Sequence, residues 1–189
     1  QKLYLGIELE MESPDYCIEE VAKALDPFSK KRSIFTLEED GSLDDGLEIV
    51  SEPATLAYHK TQFGWHDILE AARQSSAISQ DSDNCGLHIH FNTNFFNHSV
   101  NTVDLNSAKL LYFFERFWHP LVKFSRRTSG QIQGNASRYG AIHGSPKTVC
   151  DIAKKQGRYF VINLGNTDTI EIRLFRGTLN EETFFACLE

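Results

Sequence analysis

The sequence predicts an α+β protein with a largely antiparallel sheet and helices packed on one face of it. Three observations lead there. Short segments of alternating apolar and polar residues (Leu5–Glu12, 47–50, Gly86–Asn92, 169–175) are dispersed among stretches of helical spacing. Alternation, in place of all-apolar runs, marks strands with one buried face, as in antiparallel sheets. A Gly165-Asn166 turn between 159–164 and 169–175 adds a hairpin. The chain has 189 residues, 41% of them hydrophobic, which suits a single domain over 1–189 that needs no covalent staple.

The first strand, Leu5–Glu12, is followed by Ser13-Pro14, which read as an N-cap and a proline at the first helical position. Ile18, Val21, Ala22 and Leu25 continue at helical spacing, and Asp26-Pro27 should end the helix. A strand is expected over 33–37, then an acidic turn over 38–46 leading into 47–50. Residues 56–78 read as one helix with Phe63, Ile68, Leu69 and Ala72 inward, and residues 104–124 as a long apolar helix kinked by Pro120. The polar stretch 126–145 reads as a surface loop or a mobile lid. A short helix over 146–156, two strands, and a helix from Glu181 capped by Asn180 complete the chain.

Nineteen basic against 26 acidic residues leave a net charge of −7, which argues against a non-specific nucleic-acid binder. No apolar run reaches the ~18 residues of a membrane span, and no secretory signal opens the chain. Cys17, Cys85, Cys150 and Cys187 are widely spaced without a C-x-x-C pair, as expected of reduced thiols in a cytoplasmic protein. The chain stops at Glu189 inside an apolar segment, as a piece cut at its C-terminus would.

Sorting the strands by parity gives the informative pattern. Ile7, Leu9 and Met11 oppose Glu8, Glu10 and Glu12; Leu47 and Ile49 oppose Glu48. Leu87, Ile89 and Phe91 oppose His88, His90 and Asn92, and Ile170, Ile172 and Leu174 oppose Glu171 and Arg173. A solvated outer face is the simple explanation. Such faces usually mix in Thr, Ser and Lys, and these four rows contain no Lys. Five glutamates there would repel one another unless cations lie between them. Carboxylates with one or two histidines and no Cys cluster favour Mg²⁺ or Mn²⁺. Arg173, two residues from Glu171, makes sense if an anion such as phosphate bridges metal and guanidinium. With no G-x-x-x-x-G-K-[ST] loop, that combination suggests nucleotide chemistry outside the P-loop class. His59, His66, His98, His119 and His143 read as structural or exposed, with His143 nearest the basic loop.

Five motifs occur in order: Gly6-Ile7-Glu8-Leu9-Glu10, Asp40-Gly41-Ser42-Leu43, Gly46-Leu47-Glu48-Ile49-Val50-Ser51, Cys85-Gly86-Leu87-His88-Ile89-His90 and Thr169-Ile170-Glu171-Ile172-Arg173-Leu174-Phe175. Together they resemble the amidoligase family, carboxylate–amine ligases of glutamine synthetase-like fold, with more distant similarity to bacterial glutamate–cysteine ligases. Arg158-Tyr159 and Asn163 also resemble the family pattern. The resemblance implies an ATP-dependent ligase that forms an amide through an acyl phosphate, with γ-glutamyl transfer to an amine as one version. It implies one Mg²⁺ or Mn²⁺ site at Glu10, Asp40 and Glu48, and another at Glu8, His88 and Glu171. Arg173 would contact the phosphoryl group and Arg176 would assist; Arg158 and Asn163 would lie near the nucleotide. Ser42, Ser51 and His90 would contact substrate or support the site. Arg126, Arg127 and Arg138 would close over the acyl phosphate. The implied partners are small-molecule or peptide carboxylates and amines, and relatives that share sites between subunits leave room for an oligomer. Two departures stand out: Glu52 in Ser51-Glu52-Pro53, and the C-terminal helix cut at Glu189.

Two other readings stay open. A cupin-like protein would use His88-x-His90 and a later Glu to hold Fe, Mn or Ni without a nucleotide. A catalytically inactive binding module would retain only the ligase fold.

Overall fold

The computed structural model describes residues 2–96, 100–140 and 142–189. His98 lies outside them, as does Ala141 of the polar stretch. In chain order the elements are β1 (Leu5–Glu12), α1 (Ile18–Arg32), β2 (Phe35–Glu39), β3 (Gly46–Ser51), α2 (Leu56–Thr61), α3 (Trp65–Gln74) and β4 (Gly86–Asn92). A single 3-10 turn (Thr93–Phe96) leads to α4 (Val100–Arg116), α5 (Trp118–Ser125), α6 (Ser129–Asn135), α7 (Pro146–Lys155), β5 (Ile162–Asn163), β6 (Thr169–Arg176) and α8 (Glu181–Leu188). The architecture is α+β, with a six-stranded sheet in the order β2-β3-β1-β4-β6-β5. The β1–β3, β2–β3 and β5–β6 pairings are antiparallel. Among the described residues no helix is long and apolar enough to cross a membrane, and no disulfide joins the four cysteines.

The chain forms two compact units. An acidic unit comprises Tyr4–Ile89 and Phe175–Glu189; a second unit comprises Gln1–Leu3 and His90–Leu174. In the acidic unit, Ile7, Leu9, Met11, Leu47 and Ile49 are all buried, together with Val21 and Leu25 of α1 and Ile68, Leu69 and Ala72 of α3. Trp65 anchors this core, its ring 4.4 Å from Phe63 and 4.5 Å from Phe184. His59 is 1% exposed and structural. Its Nε2 lies 3.0 Å from the Leu5 carbonyl, Trp65 Nε1 donates to its Nδ1, and burial pushes its pKa down. In the second unit α4 packs on α7, and Leu111, Phe114, Cys150, Ala153, Val161 and Leu174 are buried.

Several boundaries depart from expectation for identifiable reasons. α1 begins at Ile18, not after Ser13, because the Ile18 N–H is capped by Asp45, 27 residues away. It continues through Pro27 to Arg32. Pro27 is exposed, and the carbonyl it leaves without an N–H belongs to exposed Lys23, where water can replace the lost bond. Residues 56–78 form two helices, because Gly64 adopts φ 88°, a left-handed conformation open to glycine. The apolar stretch 104–124 divides at Phe117. Pro120 would clash with the carbonyl four residues back, at Arg116, where α4 ends. The expected loop over 126–145 contains α6, which opens on a capping box between Thr128 and Gln131.

Candidate metal-binding acidic face

The acidic face is built by register. Glu10 stands opposite Glu48 across β1 and β3, and Glu48 stands opposite Glu38 across β3 and β2. Three carboxylates therefore form one cross-strand row, an arrangement that direct like-charge opposition makes unfavourable on its own. Asp40 follows β2 in a turn where its Oδ1 accepts the Ser42 N–H at 2.8 Å. Leu43 folds back against Gly46: a Cβ on Gly46 would lie 2.5 Å from Leu43 Cβ and 2.8 Å from the Met11 carbonyl oxygen. This close approach holds the turn over the end of the strands. One carboxylate oxygen each from Glu10, Asp40 and Glu48 lies within 4.8 Å of the others.

The partners of these carboxylates differ. Glu10 is 5% exposed, and its Oε2 accepts the Gly86 N–H. His88, only 2% exposed, stands beside the row, with Nδ1 3.2 Å from Glu8 and Nε2 3.7 Å from Glu10. Glu12 is fully engaged: it accepts Ser82 Oγ at 2.6 Å, Asn84 Nδ2 at 3.0 Å and the Asp44 N–H at 3.2 Å. Those donors give Glu12 a structural role, tying β1 to two loops. Glu48 is half-buried, and among the described residues no hydrogen-bond donor reaches its carboxylate. Burial, followed by Glu8, Glu10, Asp40 and Glu38, pushes its pKa up to about 7. An uncompensated cluster of hard oxygen donors is what a divalent cation such as Mg²⁺ or Mn²⁺ requires.

The other residues singled out by sequence divide between the two units. In the acidic unit, Ser51 Oγ accepts the Ile7 N–H at 2.9 Å, Ser42 is exposed, and Arg176 donates to the Ser82 carbonyl at 3.3 Å. In the second unit, Glu171 is 3% exposed and forms an ion pair with Arg173. Its other oxygen accepts Asn163 Nδ2 at 2.8 Å, while Asn163 Oδ1 accepts the Gly165 N–H at 2.8 Å. Arg173 also reaches the Asn135 carbonyl at 3.4 Å. Thus Glu171, Arg173 and Asn163 converge, and Glu8 and His88 pair in the acidic unit. His90 lies 3.3 Å from Thr169 Oγ1. Arg158 is exposed and stacks on Tyr159. Arg126 is exposed at the end of α5 with φ 61°, and Arg127 is 6% exposed. Arg138 donates from two nitrogens to Glu115 and stacks on Trp118.

Sequence reasoning missed three contributors. The Gly86 N–H orients Glu10, and no side-chain pattern announces a backbone donor. Glu115 organises Arg138 and the Tyr139 N–H; its signal was its position as the lone acid in the apolar stretch 105–125. The Ser82–Asn84 loop that satisfies Glu12 showed only as polar residues. No protein-family model matches the chain, and no curated protein matches it.

Proposed function

We propose that the chain is an ATP- and Mg²⁺-dependent carboxylate–amine ligase of glutamine synthetase-like fold, resembling the amidoligases. The observation that carries this reading is the convergence of Glu10, Asp40 and Glu48, with Glu48 half-buried and lacking a donor among the described residues. Two further features support it: an α+β architecture in place of a cupin-like barrel, and strands that carry four of the five ordered motifs, with Asp40–Leu43 in the turn between β2 and β3. Mn²⁺ would serve in place of Mg²⁺, since both prefer oxygen ligands.

Glu10, Asp40 and Glu48 would hold the divalent cation, with Glu10 prealigned by the Gly86 N–H. A bound cation supplies charge neutralisation for the polyphosphate and alignment of the transferred phosphoryl group. The substrate carboxylate attacks the γ-phosphorus of ATP, releasing ADP and leaving an acyl phosphate. The amine then adds to the acyl carbon, phosphate departs, the ammonium loses a proton, and an amide remains. Glu8 and His88 would offer a second ligating pair, their side chains 3.2 Å apart. Arg173 is held by Glu171 with its guanidinium in a defined plane, suited to the charge on a transferred phosphoryl group. Excluding water protects the acyl phosphate from hydrolysis.

The test is thermal unfolding with ATP, with Mg²⁺ and with both, followed by ADP release on adding carboxylate and amine mixtures. A ligand at ~100 times its dissociation constant should stabilise by about 2.7 kcal/mol. The reading expects a shift that needs ATP and Mg²⁺ together and is lost in Glu48→Gln. Stabilisation by Fe²⁺ or Ni²⁺ alone, with ATP inert, would overturn it in favour of a cupin-like metal protein.

A further inference from the structure

The second unit contains a cavity of about 540 Å³ between α4, α7 and residues 138–140 and 142–146, and of the groups the ligase reading names only Arg138 lines it. Its volume falls in the range of small-molecule sites, roughly 300–1,000 Å³. Its walls are mostly apolar, with Leu111, Ile142, Pro146 and Val149 prominent. The polar groups at its rim are unevenly charged. Arg116, Arg138 and His143 face it, against one acid, Glu115.

That acid is already spent. Glu115 Oε2 accepts Arg138 Nε at 3.0 Å and Nη2 at 2.7 Å, and its Oε1 accepts the Tyr139 N–H at 2.7 Å. Glu115 and Arg138 therefore cancel in charge and together fix the wall. Tyr139 is locked too, since its hydroxyl donates to the Ile162 carbonyl and its ring stacks 4.5 Å from Phe160. What remains uncompensated is Arg116 at the end of α4, exposed and in no ion pair among the described residues, with His143 as a second nitrogen donor. A rigid apolar cavity with a free guanidinium at its mouth is complementary to a molecule with an apolar body and one anionic end.

We propose that this cavity binds an amphipathic carboxylate, with its hydrocarbon body against Leu111, Ile142 and Val149 and its carboxylate on Arg116. Arg116 is suited to the task because its planar fork can hold both carboxylate oxygens. The site lies wholly in the second unit and needs neither metal nor nucleotide, so it stands or falls separately from the ligase reading.

Calorimetric titration with octanoate, octanamide and octylammonium, without metal or ATP, tests the proposal. Octanoate should bind the wild-type chain, and the amide and the ammonium at least about tenfold more weakly, the effect of one charge-assisted contact. Arg116→Gln lies at an exposed position and should leave unfolding unchanged while weakening octanoate about tenfold. Val149→Phe, which fills the cavity, should weaken acid and amide alike. Equal affinity for acid and amide, an unchanged Arg116→Gln, or no octanoate binding at ~10 mM would each overturn the proposal. Should Val149→Phe fail to fold, the wild-type selectivity and Arg116→Gln still decide it.

Discussion

Glu48 and Glu171 are both strand glutamates on the polar side of the same kind of alternating pattern, yet their surroundings are opposite. Glu171 is almost fully buried and balanced: Arg173 takes one oxygen and Asn163 the other. Glu48 is only half-buried, but it faces Glu10 and Glu38 across the ladder and has Asp40 within reach. The more buried carboxylate is thus the internally settled one, and the more exposed one carries the unmet charge. Burial alone therefore does not mark a metal site. A shortage of positive charge does, and the Glu10, Asp40 and Glu48 row shows it.

The largest effect should come from breaking the balanced region. Arg173→Met leaves the Glu171 carboxylate buried without its guanidinium partner, and removing one partner of a buried pair typically costs about 3–5 kcal/mol. Urea unfolding should report a loss of that order. A loss below about 1 kcal/mol would mean that the pair behaves like an exposed one, and the contrast with Glu48 would disappear.

The unbalanced region should respond with the opposite sign. Glu48→Gln removes a repelled carboxylate, so the metal-free protein should gain stability near pH 7, by about 1 kcal/mol once solvent screening is discounted. The pH dependence follows from the raised pKa. Folded Glu48 binds its proton up to about pH 7, whereas the unfolded side chain releases it near 4.5. Its contribution is therefore fully present below about 4.5 and lost as pH rises through 7. Metal-free wild-type protein should lose stability across that window relative to Glu48→Gln, with the difference measured by thermal unfolding in steps of pH. Parallel curves for the two proteins would count against the repulsion.

A smaller effect tests a local feature of the second unit. Thr128 Oγ1 accepts the Gln131 N–H while Gln131 Oε1 accepts the Thr128 N–H. Thr128→Ala should cost about 1 kcal/mol, visible as a modest shift in the unfolding midpoint. No shift would place α6 outside the cooperative core.

These regions also differ in how far they could be read from sequence. The faces of β1 and β3 were legible, because period-two alternation is local and Ile7, Leu9, Met11, Leu47 and Ile49 obey it. The convergence of Glu10, Asp40 and Glu48 was available only through the resemblance, since register between β1 and β3 depends on a turn that Leu43 and Gly46 pack together. Contacts distant in sequence stayed hidden. The cap of α1 comes from Asp45, Arg138 is held by Glu115, and Glu12 is satisfied by residues about 70 positions away. Breaks in helices depended on single residues whose effect is positional: Gly64 divides one helix, whereas Pro27 is tolerated within another. The capping box of α6 was legible as Thr-x-x-Gln, but the polar composition around it argued for a loop.

The central claim is that Glu10, Asp40 and Glu48 form a site for a divalent cation. Its most direct test is titration of Mn²⁺ against wild-type protein and Glu48→Gln, followed by electron paramagnetic resonance of the free ion. The account predicts saturable binding at low occupancy by the wild type, competed by Mg²⁺, and a loss of at least tenfold in affinity for Glu48→Gln, about 1.4 kcal/mol or more. Equal Mn²⁺ uptake by both proteins, or none by either, would contradict it.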